Sequence, residues 1–164
     1  MKNLVVCFLL CVCVSPSFSE TNKKEALSTA IKRLNQSIVD IGNKEASCKE
    51  QETTLSTKEL SALNLPKDQL ITILQYHNLE ASVRCSDKET KNYLVSAALV
   101  AAMDLTKRKD ISDSNELIMS TNVLKLQAEI EYRKLDKNII DKIHAIDELK
   151  RPFNLIDAAK RLGI

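Results

Sequence analysis

The chain holds only two glycines, Gly42 and Gly163, and three prolines, Pro16, Pro66 and Pro152, in 164 residues. β sandwiches and barrels turn back roughly every 8 to 12 residues and draw on glycine and proline to do so, so a chain this short of both has few ways to be all-β. Helices meet the same backbone hydrogen-bonding demand without such punctuation. The expected fold class is therefore all-α: a helical bundle of about five to six helices with one disulfide.

Helix starts are expected where a capping side chain stands three residues before a glutamate, because the pair satisfies amide groups left open in the first turn. Four stretches fit: Asn22 with Glu25, Ser56 with Glu59, Ser86 with Glu89 and Asp113 with Glu116. A first helix from about Asn22 places Leu27, Ile31, Leu34, Ile38, Ile41 and Cys48 on one apolar stripe. It either continues through Gly42 or ends there in a left-handed cap. A short helix is expected from Ser56 to Asn64, and a third from about Pro66 to Arg84, with Leu70, Ile73, Leu74, Ala81 and Cys85 facing inward. A fourth, opening after Ser86, is apolar nearly all round from Tyr93 to Met103, which predicts a place in the middle of the bundle. Further on, Met119, Val123, Leu126 and Ile130 form one stripe, while Ala128, Tyr132, Leu135, Ile139, Ile143 and Ile146 form another. The offset between them predicts a long helix that wraps the others or breaks near its middle. Pro152 ends that segment and opens a short last helix docking through Phe153, Ile156 and Leu162, with Gly163 as its cap.

The first residues follow the layout of a secretory signal. Lys2 precedes an unbroken apolar run from Leu4 to Val14, and Ser17 and Ser19 stand where a peptidase prefers small side chains. Residues 1–19 are thus expected to be a cleaved signal peptide and residues 20–164 a single helical domain. The run is too short for a membrane anchor, which needs about 17 to 25 apolar residues. Leu10 and Val12 precede Cys11 and Cys13, where a lipid anchor would require a small residue. Cleavage removes Cys7, Cys11 and Cys13 and leaves Cys48 and Cys85. In an exported protein that pair is read as a disulfide, with two free buried thiols as the alternative. The expected destination is the periplasm or the extracellular medium, the periplasm being preferred.

Charge and composition narrow the function. Lysines and arginines are interspersed with acids and nearly balanced by them, so no basic stripe for phosphates is present and nucleic acid is an unsuitable partner. Tryptophan is absent and aromatic residues make up 4%, which removes the flat platforms on which bases and sugars stack. The glycine-rich loops that cradle phosphates or expose a nucleophilic serine are missing as well.

His77 and His144 are the only histidines, and neither has a second ligand at metal spacing; His77 falls on the apolar face of its helix and is expected to be structural. Acidic pairs such as Asp40 with Glu45 and Asp147 with Glu148 read as solvated surface. Asn35-Gln36-Ser37 matches a glycosylation signal but lies within a helix. Lys107-Arg108-Lys109 suits the carboxyl end of a helix. No catalytic, cofactor or metal site is expected. The leading expectation is an exported, non-enzymatic protein that binds another protein, as an inhibitor, immunity, adaptor or chaperone-like factor. Carriage of a small apolar ligand or lipid between the helices is the alternative, suggested by the alanine-rich fourth helix. An enzyme with a dispersed site ranks third.

Overall fold

A computed structural model describes residues 20–164; the expected signal peptide, with Cys7, Cys11 and Cys13, lies outside them. The described residues form six α-helices: α1 (Glu20–Glu50), α2 (Lys58–Ala62), α3 (Lys67–Met103), α4 (Arg108–Tyr132), α5 (Lys137–His144) and α6 (Leu155–Leu162). Short 3-10 turns occupy Leu105–Lys107 and Asp147–Lys150. The class is all-α, as the scarcity of glycine and proline predicts. Extended pairing among the described residues is limited to one isolated bridge between Thr53 and Phe153.

α3 is the axis of the molecule. Its 37 residues reach about 55 Å at 1.5 Å per residue. α1 lies antiparallel along its C-terminal half, bringing Ala30 near Leu99 and Met103 at one end and Cys48 to Cys85 at the other. α4 returns antiparallel along α3 as far back as Tyr76, with Ile111 near Val100 and Tyr132 against Tyr76. Among the described residues α1 and α4 both pack on α3 but hardly meet each other.

Two apolar clusters result. The larger gathers Leu55, Leu60, Leu70, Ile73, Leu74, Tyr132, Ile143, Ile146, Leu149, Phe153 and Ala158 around the N-terminal half of α3. Polar ties close this end: Asn78 Nδ2 donates to the Phe153 carbonyl at 2.7 Å, Lys67 Nζ to the Gly163 carbonyl at 2.7 Å, and the Ser56 amide to Glu148 Oε2 at 2.6 Å. The smaller cluster joins Ala30, Tyr93, Ala97, Val100 and Ile111 between the three long helices.

The capping expectations fail in an instructive way. Asn22, Ser86 and Asp113 all lie inside helices, and α2 starts after Thr57 without a side-chain cap. A capping residue needs non-helical backbone, and nothing between Pro66 and Asp104 supplies a break, so the expected third and fourth helices are one. Among the described residues the working caps are Asp104, which accepts from the Thr106 amide at the first 3-10 turn, Asp136, which accepts from the Asn138 amide, and Asn154, which accepts from the Asp157 amide.

α1 runs through Gly42, and its buried line is rotated from the expected one. Ser37 is buried, donating its hydroxyl to the Leu34 carbonyl at 2.7 Å, while Ile38 is exposed. The C-terminal part of α3 is not central either: Tyr93, Ala97 and Val100 are buried, but Val95, Leu99 and Met103 face outward. The alternative of a break near the middle of the last long segment is the one realised, at Arg133–Asp136 between α4 and α5. In the final helix Gly163 takes the left-handed conformation at φ 70°, as a cap should, and Phe153 is buried. Ile156 instead points to solvent.

Candidate functional site

The disulfide lies beside a concave surface. Cys48, near the end of α1, and Cys85, in the middle of α3, have sulfurs 2.01 Å apart and Cα atoms 6.2 Å apart, at disulfide bonding distance. Beside Cys48 a groove of about 420 Å³ opens between α1, α3 and α4. It exists because α1 and α4 flank α3 without closing over it. Val83, Leu94 and Ile118 give it an apolar floor, to which Cys48 adds sulfur, and Ser82, Ser86, Thr90, Thr121 and Asn122 supply hydroxyl and amide groups. Its rim mixes both signs of charge, with Lys49 and Lys91 against Glu45, Glu52 and Asp87. Small side chains along α3 keep the floor low enough for an incoming side chain to settle. Such a surface suits an amphipathic segment.

The histidines lie elsewhere. His77, on the inner face of α3, is buried in an aromatic nest made with Tyr76 and with Tyr132, the last residue of α4. The Tyr132 ring stands perpendicular to His77 with centroids 5.2 Å apart, and the Tyr76 ring lies edge-on at 5.0 Å. Burial, then the neighbouring His144, lowers the His77 pKa to about 4; Glu80 opposes this and Arg84 adds to it. The ring is therefore neutral at physiological pH, and its Nε2 has no hydrogen-bond partner. Burial, then Tyr76, raises the Tyr132 hydroxyl to about 12, and that hydroxyl is also unpartnered. His144 sits exposed at the margin, its ring 6.3 Å from Tyr132. The neutral imidazole packs against both tyrosine rings.

The remaining sequence candidates do not converge. Among the described residues no three His, Cys, Asp or Glu side chains gather to hold a metal ion. Asn35 is exposed but lies within α1, and Lys107-Arg108-Lys109 spans the junction between the 3-10 turn and the start of α4 rather than a helix end. Among the described residues no helix is long and apolar enough to cross a membrane.

A second surface eluded the sequence reading altogether. Met119, Val123, Leu126 and Ile130, expected to be core, each leave 49–56% of their surface exposed on the outer side of α4. α4 instead turns a mixed face inward, with Ile111 buried and Ile118, Lys125 and Tyr132 along α3. Lys125 Nζ lies 2.6 Å from Glu80 Oε2 of α3, in the place an apolar contact would otherwise fill.

Comparison with protein-family models, with curated proteins and with solved structures finds no match to the chain.

Proposed function

We propose that this is an exported, non-enzymatic helical protein that binds another protein, in the manner of an inhibitor, immunity, adaptor or chaperone-like factor, and that it works in the periplasm or the extracellular medium. The observation that carries this reading is the groove where α1 and α4 stand apart over α3. A fourth helix would occupy this place in a closed bundle, and a partner's amphipathic segment fits the same requirement: apolar side chains on Leu94 and Ile118, polar flanks against a rim of both charges. The disulfide supports export, because oxidising compartments keep such bonds.

The test is site-specific photo-crosslinking in the producing cells. A photoreactive side chain at Thr90, in the groove, is expected to trap one polypeptide that the same group at Lys32, on the exposed side of α1, does not. Equal labelling from both positions, or none from Thr90, would defeat the reading.

A second reading has its own observation. The groove's volume falls within the roughly 300 to 1,000 Å³ of small-molecule sites, which favours an apolar ligand lying beside Cys48. Native mass spectrometry separates the two, since a carried ligand adds a discrete small mass and a protein partner does not.

A further inference from the structure

We infer that the outer face of α4 is a self-association seam, by which two copies of this chain pair antiparallel about a two-fold axis. Met119, Val123, Leu126 and Ile130 follow one another at spacings of four, three and four, the rhythm of a coiled-coil seam, and all four are exposed. The same rhythm continues by one step each way, to Glu116 three residues before and Arg133 three residues after. Both of these are exposed as well.

This order of side chains is self-complementary only when the helices run in opposite directions. An antiparallel second copy places its Ile130 on Met119 and its Leu126 on Val123, and the axis repeats these layers in reverse. The outermost layers then join Glu116 to Arg133 of the second copy at both ends. Arg133 already donates through Nε and Nη2 to Glu129 of its own helix, yet a guanidinium has five N–H donors and retains some for a second carboxylate. A parallel pair would stack Glu116 on Glu116 and Arg133 on Arg133, opposing like charges at each end. Of the positions bordering the seam, Ser120, Asn122 and Gln127 are uncharged and allow close approach, and Glu129 is already paired with Arg133 of its own helix. The occupant selected by this pattern is therefore the chain itself. The seam is short and belongs with small, reversible interfaces.

Sedimentation equilibrium of the protein as its cells produce it, between roughly 1 and 300 µM, is expected to show a reversible monomer–dimer equilibrium. Leu126→Glu should leave monomer throughout that range, with far-ultraviolet circular dichroism unchanged because the residue is exposed. Glu116→Arg, which faces Arg133 of the second copy, should raise the dissociation constant about tenfold, and adding Arg133→Glu in the same chain should recover most of the loss. Wild-type monomer across the whole range overturns the inference, as does a dimer indifferent to Leu126→Glu. A dimer that loses nothing on Glu116→Arg overturns the antiparallel arrangement.

Discussion

The rings of Tyr76 and Tyr132 stack with centroids 4.3 Å apart and planes 15° from parallel, joining the N-terminal half of α3 to the end of α4. His77, one residue along α3, meets the Tyr132 ring edgewise, so protonating it would place a charge inside an aromatic wall. In the unfolded chain this imidazole titrates near its ordinary 6.5, and in the folded protein near 4. The group is neutral in both states above pH 6.5, where its contribution is fully present. As the pH falls from 6.5 towards 4 the unfolded state takes up a proton that the folded state refuses, and up to about 3 kcal/mol of stability is lost. Urea unfolding at pH 7 and pH 4.5 should show that loss, and His77→Gln should flatten it. An imidazole that titrates near 6.5 by NMR would contradict the account.

Tyr132→Phe should leave the protein as stable as before or stabilise it by up to about 1 kcal/mol, because the buried hydroxyl lacks a partner and its removal relieves the desolvation cost while keeping the stack. Thermal unfolding of the pair of proteins checks this; a loss above about 1 kcal/mol would mean the hydroxyl is satisfied in solution.

Replacing Cys48 and Cys85 by serine releases a loop whose ends are 37 residues apart. Loop-closure entropy sets the expected loss at about 2 to 4 kcal/mol. Urea midpoints of oxidised wild type and the double variant give the difference, and equal midpoints would deny the crosslink any role in stability.

Gly42 stands in the interior of α1, and a methyl group built on it meets nothing within 4 Å. Its backbone freedom is a cost there without a steric return, so Gly42→Ala should stabilise the protein by about 0.5 to 1 kcal/mol. An unchanged or lower melting temperature would argue that α1 is not helical at this point.

Leu149 is fully buried in the larger cluster, whereas Ile156, only seven residues later, is 68% exposed. Leu149→Ala should cost about 2 to 5 kcal/mol and Ile156→Ala less than about 0.5 kcal/mol. Chemical denaturation of both variants tests whether the Asp147–Lys150 turn is docked in the larger cluster while Ile156 of α6 faces solvent.

Much of the fold was readable in the residues. Sparse glycine and proline implied helices, the spacing of Leu70, Ile73, Leu74 and Ala81 identified an inward face that is indeed buried, and Gly163 marked the last cap. Ser86 and Glu89 misled because a serine three residues before a glutamate is as common on the side of a continuous helix as at its start. The deeper failure concerns α4. Periodicity reports that Met119, Val123, Leu126 and Ile130 share a side, but it cannot say whether that side meets the protein's own interior or lies open to solvent. The inward face was disguised by the polar Lys125 and Asn115, so the open side read as core. The groove was invisible for a related reason: it depends on how far apart α1 and α4 stand, a distance that no local pattern encodes.

Because a single unbroken α3 threads both apolar clusters, the two ends of the molecule are mechanically linked while differing in strength. At the far tip the start of α1 rests beside Leu99 and Met103 on a thin layer of contacts, and thermal agitation will peel it away from there first. The separation can travel inward only as far as the sulfur bridge, which acts as a rivet partway along the rod. Whatever loosens the tip therefore leaves the base assembled, and α1 remains tethered in position to close again.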